Sequence, residues 1–280
     1  FPYTTLFRSL TSSGSGAINL ASTVNGAQTL AINTAGATTF GGVVGGSTNL
    51  TSITTDAGGT VVINGGAVTT TGAQTYNEAV TLGAATTLSA SSITTGSTVS
   101  AGSNAITLTT DALALGGNIS SSGALVIQPK TAGTTIALGT DATGALKLDD
   151  TEIGYLSNGF SSITIGSASG TGAIAVNFAT VPTFADNLVI RSSSGAITAV
   201  DTIDTATNTL TISSGGAVSV AGITSGTLAI TGTGITLNNN ITTSGTQTYT
   251  GAVTLGASVT AASTGASANG NNISFTSTIN

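Results

Sequence analysis

The chain has 280 residues, of which 4 are Lys or Arg and 10 are Asp or Glu, and it contains no His, Cys, Met or Trp. Charged residues make up 5% of it, against about 25% in an ordinary soluble domain. Without His there is no Ser-His-Asp or Cys-His nucleophile pair, without His and Cys there is no ordinary zinc, haem or iron–sulfur centre, and four cations cannot neutralise a nucleic-acid backbone. No cofactor, metal or nucleic-acid partner is therefore expected.

Residues 1–9, FPYTTLFRS, read as the translation of TTT CCC TAC ACG ACG CTC TTC CGA TCT, a DNA that resembles a sequencing-library adapter. They are set aside as non-native, as a tag would be. Removing Arg8 leaves 3 basic against 10 acidic residues, a net charge of −7. With no methionine and a last run, ISFTSTIN, that reads as mid-strand, residues 10–280 are expected to be an internal fragment of a longer protein.

Hydrophobic residues make up 39% of the chain, the opposite of the composition that keeps a chain disordered. No run of about 20 apolar residues occurs, and aromatics at 4% are too few for the girdles of a membrane barrel, so no membrane insertion is expected. Instead, two-residue alternation recurs along the chain. It runs through Ala105, Ile106, Thr107 and Leu108, then Ser162, Ile163, Thr164 and Ile165, then Thr209, Leu210, Thr211 and Ile212. It returns at Ala217, Val218, Ser219 and Val220 and at Gly234, Ile235, Thr236 and Leu237. Each run ends in turn formers such as Ser213-Ser214-Gly215-Gly216 or Asn238-Asn239-Asn240. Thr, Val and Ile dominate and no helical period stands out, so the chain is expected to be all-β.

Repetition decides between a sandwich and a solenoid. Residues 72–84, GAQTYNEAVTLGA, return as residues 245–257, GTQTYTGAVTLGA, with ten of thirteen positions identical. INLASTVN at 18–25 returns more loosely as ISFTSTIN at 273–280, and the two motifs together imply an 82-residue repeat. The distance between the two QTY motifs, at 74–76 and 247–249, is not a multiple of that repeat, so a divergent unit intervenes, least regular over 130–191. With turn signals every 8–10 residues, an 82-residue repeat holds several short coils. A lone coil cannot offset its conformational entropy, whereas stacked coils bury both flanks and pair their amides with neighbours. Low charge follows, because stacking sets like over like about 4.8 Å apart, where charges repel and Thr, Ser or Asn hydrogen-bond.

The TTTGAQTYNEAVTLGA run, residues 41–66 (GGVVGGSTNLTSITTDAGGTVVINGG) and residues 159–166 (GFSSITIG) resemble filamentous haemagglutinin-like bacterial exoproteins, built of β-strand repeats. The resemblance covers residues 10–280. It implies a right-handed parallel β-helix (β-solenoid), export through an outer-membrane transporter by a two-partner route, and adhesive or biofilm-related work at the bacterial surface. The partners it implies are a host-cell surface, matrix or glycan. The secretion domain of such proteins, with its Asn-Pro-Asn signatures, is absent from this sequence. At roughly 20 residues per coil, the family's value, residues 10–280 make about 13 coils of a rigid rod. A passive structural stalk with no ligand is the alternative. The absence of Cys suits a chain that crosses a membrane unfolded.

Several residue groups are candidates for chemistry. Asp149, Asp150 and Glu152 form the densest acidic cluster, but they match neither an EF-hand nor a calcium-binding β-roll, and with Lys147 nearby a solvated turn is the favoured reading. Asp201 and Asp204 are a candidate carboxylate pair for sugar hydrolysis, yet three residues apart on a strand they face opposite ways unless a turn intervenes. A β-helix polysaccharide-degrading enzyme would need several carboxylates with Arg or Lys, and only Lys130, Lys147 and Arg191 are present in residues 10–280. Tyr76 and Tyr249 hold matching repeat positions, either as an exposed column for sugar rings or, the favoured reading, as core aromatics. Asn238–240 and Asn271 with Asn272 are expected to form stacked turn ladders. Thr107 with Thr109 and Thr209 with Thr211 are similar to ice-binding threonine pairs, but irregular in spacing. No catalytic, cofactor-binding or metal residue is assigned, and the chain is expected not to be an enzyme.

Overall fold

The computed structural model describes residues 9–265 and 271–280. Eight of the nine residues read as adapter-derived thus lie outside the described residues. The ninth, Ser9, opens the strand Ser9–Ser12, which pairs in parallel with Thr29–Thr34. The chain divides into two compact units, Phe1–Leu125 with Tyr155–Ser157, and Val126–Gly154 with Asn158–Asn280. Both wind as a β-solenoid of parallel strands, about 13 turns in total, with helix in only 2% of residues.

In the first unit most turns carry three short strands. One face stacks Thr29–Thr34, Ser52–Thr55, Ala73–Tyr76, Ser92–Thr95 and Ala112–Leu115. A second stacks Ala37–Phe40, Thr60–Ile63, Ala79–Leu82, Val99–Ser100 and Ile119–Ser120, and a third Ala67–Thr69, Thr86–Ser89 and Ile106–Thr109. Ser92 lies beside Ala73 of the turn before and beside Ala112 of the turn after. An 82-residue repeat therefore spans about four such turns. Alternation puts every second side chain inside, and register sets these in columns: Val61, Val80, Val99 and Ile119 in one, Val68, Leu88 and Leu108 in another. All seven are at most 3% exposed. A column of β-branched side chains packs methyl on methyl across each 4.7–4.9 Å step, which is why Val and Ile recur there.

The second unit stacks Ser162–Ser167, Leu188–Ser192, Leu210–Ser214, Leu228–Leu237, Gln247–Leu255 and Ile273–Phe275. Beside them run Ile136–Leu138, Ile174–Val176, Ile197–Ala199 and Val218–Val220, which meet the second half of Leu228–Leu237. A register shift between Thr231 and Gly234 lets this long strand serve both faces. Ile165, Ile190, Ile212 and Ile230 form its central inward column, ending at Tyr249 and Phe275, whose rings stack at 4.7 Å and 8°.

Residues 130–191 contain the shortest step of the stack and the helix. Ile136–Leu138 and Leu146–Leu148 stack after an unusually short excursion, and the helix Asp150–Gly154 follows at once. Elsewhere the corners are stitched by small polar side chains. Ser192 donates to the Gly172 carbonyl at 2.9 Å and accepts from the Gly195 amide at 3.0 Å. Its register neighbour Ser214 donates to Gly195 O at 2.6 Å and accepts from Gly216 N at 2.8 Å. Each hydroxyl satisfies backbone groups that a tight corner strips from the strand ladder.

Candidate functional site

The matching tyrosines are core residues. Tyr76 and Tyr249 are fully buried, and each hydroxyl donates to the amide oxygen of the glutamine two residues earlier, Tyr76 to Gln74 at 3.1 Å and Tyr249 to Gln247 at 2.8 Å. The amide nitrogen of Gln74 donates to the carbonyls of Val68 (2.9 Å) and Ser89 (3.0 Å), and that of Gln247 to Ala262 O (2.8 Å) and Thr243 Oγ1 (3.2 Å). The QTY motif is thus a buried polar plug that ties one face of the solenoid to another. Burial raises both phenol pKa values, so the rings stay neutral donors.

The acidic candidates serve the backbone one by one. Asp149 Oδ1 accepts from Glu152 N at 2.9 Å, and Glu152 Oε2 from Asp149 N at 3.0 Å, a reciprocal cap that starts the helix Asp150–Gly154. Asp150 accepts from the amides of Thr140, Ala179 and Thr180 at 2.8–2.9 Å. Desolvation works to raise its carboxyl, and the hydrogen bonds from Thr180, Thr140 and Ala179 outweigh it and hold it below its ordinary value. Lys147 Nζ donates to Thr140 O at 2.6 Å. Asp201 accepts from Phe178 N at 2.8 Å, while Asp204 accepts from Thr183 Oγ1 and Ala206 N at 2.8 Å, so each carboxylate is engaged by its own donors. Among the described residues, no group of three or more carboxylates is placed to hold a metal ion.

The asparagines bind neighbouring backbone and hydroxyl groups instead of stacking on each other. Asn238 donates to Ser219 Oγ at 3.0 Å, Asn240 Oδ1 accepts from Thr260 N at 2.9 Å, and Asn271 donates to Ser244 O at 3.0 Å. Thr107 sits beside Thr87, but the next place in that row is Ala67, and the row of Thr211 holds Val189 and Ala229. These two rows do not build a flat threonine array.

Two features escaped the sequence reading. The first is Glu78, 2% exposed at the corner between Ala73–Tyr76 and Ala79–Leu82. Neither carboxyl oxygen makes a hydrogen bond of good geometry, although the Thr55 hydroxyl is near, and the group adjoins the carboxyl of Asp56, one turn earlier, whose Oδ1 is equally without a well-placed partner. Desolvation first, then the carboxyl–carboxyl contact and repulsion with Asp56, push the Glu78 carboxyl up to about 7 against the opposing pull of the Thr55 hydroxyl. Below about pH 7, a proton on Glu78 supplies the donor that two carboxylates lack. The signal was present: Gly251 holds this place in the second motif copy, so Glu78 is a charge set into an otherwise neutral motif.

The second feature is an open groove of about 550 Å³ on the second unit. Register lines up Gly166, Arg191, Ser213, Thr231 and Thr250 in one row, with Val189 and Thr211 in the next. Arg191, Thr211, Ser213 and Thr231 line the groove, and Ala168 contributes from the turn after Ser162–Ser167. Gly166 has a φ of +93°, and a Cβ there would overlap the Arg191 carbonyl, so only glycine lets the two strands close up at this point. Arg191 Nε is buried without a partner, and among the described residues the side chain forms no hydrogen bond or ion pair. No protein-family profile, curated protein or solved structure matches the chain.

Proposed function

We propose that this chain is part of the repeat region of a large secreted bacterial surface protein, of the filamentous haemagglutinin-like kind, working in adhesion or biofilm formation without catalysing a reaction. The observation that carries the reading is the solenoid, whose parallel turns present rows of hydroxyl and amide side chains almost free of charge. Such a surface suits many weak polar contacts repeated along an axis, and repetition adds avidity where geometry permits. Host-cell surface, matrix or glycan would be the partner, and an outer-membrane transporter the export route. The non-enzymatic part of the reading is supported by the carboxylates, since Asp149, Asp150, Glu152, Asp201 and Asp204 are each engaged by backbone or hydroxyl donors. The burial of Tyr76 and Tyr249 favours a second reading, a passive stalk, because it removes the aromatic platform a sugar-binding column would use. Incubating the labelled chain with epithelial cells, matrix proteins and a glycan array separates the two. Saturable attachment supports adhesion, and failure on all three surfaces leaves the stalk.

A further inference from the structure

We propose that the Arg191 groove binds a carboxylate-bearing glycan, with the guanidinium taking the carboxylate and the Thr211, Ser213 and Thr231 hydroxyls taking sugar hydroxyls. This deepens the adhesive reading and rests on it. Four observations converge. Arg191 is the one arginine among the described residues and has no counter-charge there, although the second unit holds seven of the chain's ten acidic residues. Its Nε is buried without a partner, so the positive charge of the guanidinium is uncompensated within the protein, and a planar anion in the groove that reaches its outer nitrogens would complete a charge-assisted pair. The three flanking hydroxyls have no partner among the described residues, unlike the inward Ser192 and Ser214, whose hydroxyls are spent on glycine carbonyls. Register also fixes their spacing: Arg191, Ser213 and Thr231 stand on successive strands about 4.8 Å apart, a straight row of one cation and two hydroxyls.

The same features select among anions. The chain's net charge of −6 repels a densely charged polyanion, so an isolated carboxylate among neutral sugars fits better than a heavily sulfated chain or a nucleic acid. An acidic peptide would look for a sheet edge or apolar anchor pockets, whereas this groove lies on a sheet face, with Val189 and Ala168 as its apolar side chains.

The test is calorimetric or NMR titration of the full chain with 3′-sialyllactose, with neutral lactose and with a tetraglutamate peptide, using wild type, Arg191→Gln, Ser213→Ala and, outside the groove, Thr107→Ala. Sialyllactose is expected to bind and lactose to bind at least about tenfold more weakly, with Arg191→Gln erasing that difference, Ser213→Ala weakening binding a few-fold and Thr107→Ala unchanged. Arg191 is half-buried and outward, so the variant is expected to keep its melting temperature, which certifies the fold. Equal affinity for lactose and sialyllactose, unchanged binding by Arg191→Gln, or saturation by the peptide with sialyllactose silent would overturn the assignment. Cell attachment that survives Arg191→Gln rejects the groove and leaves adhesion standing. Sialyllactose binding without attachment to any cell surface keeps the groove and rejects adhesion.

Discussion

Glu78 shows how one side chain writes a pH dependence into a nearly uncharged protein. Its folded-state pKa, about 7, lies above the ordinary value of 4.5 that applies in the unfolded chain. Between these values the folded state holds a proton that the unfolded state releases, so stability is full at low pH and falls as pH rises through about 7. Glu78→Gln replaces the shared proton with a permanent amide donor. It is expected to flatten the dependence and to stabilise the chain by about 1–3 kcal/mol at pH 8, read by denaturant unfolding across pH 5–8. A variant whose stability still falls over that range would place the titration elsewhere. The Gln–Tyr plug makes a second residue-scale prediction. Tyr76→Phe is expected to cost about 1 kcal/mol, Gln74→Leu about 2–3, and the double variant less than their sum, because both hydrogen-bonded partners are then gone. Strict additivity in that cycle would mean the 3.1 Å contact contributes nothing.

At the scale of a strand, alternation does most of the specifying. Ile106 and Leu108, Ile163 and Ile165, Leu210 and Ile212, and Val218 and Val220 are all buried on the parity that their sequence pattern gives them. Val218→Asp is therefore expected to cost about 3 kcal/mol or more by burying an unpaired charge. Ser219→Asp, on the outer face beside Asn238, is expected to stay within about 1 kcal/mol, and equal melting temperatures would count against this parity. The same rule carries through Gln74, Tyr76, Glu78, Val80 and Leu82, every one buried, yet three of the five are polar and disguise an inward row as a surface one. The helix Asp150–Gly154 was hidden for another reason: so short a segment cannot show a period, and its cap rests on one pair, Asp149 with Glu152. The groove was hidden by uneven spacing, since the chain takes a longer path from Arg191 to Ser213 than from Ser213 to Thr231. No fixed period read from the sequence brings those three together.

Across the molecule, scarcity of charge and parallel stacking are one property, because a column of like charges would repel at every step. Some apolar side chains of the stack stay exposed in this chain. Ile273–Phe275 pairs with Gln247–Leu255, and Leu255, Ile273 and Ile279 keep 46%, 36% and 52% of their surface exposed. Concentration-dependent association is expected in light scattering, reduced by Ile279→Lys, and a strictly monomeric species at high concentration would contradict it. Successive turns differ in length, the one from Ile165 to Ile190 being longer than the one from Ser213 to Thr231, and the corners absorb the difference while the faces stay aligned. A mutation that adds residues at a corner therefore makes only a larger loop, whereas one codon lost within a strand turns its greasy side chains outward. A further turn of about twenty residues would likewise find a ready template in the turn before it, so the length of such a stack is not limited by the redesign of a core.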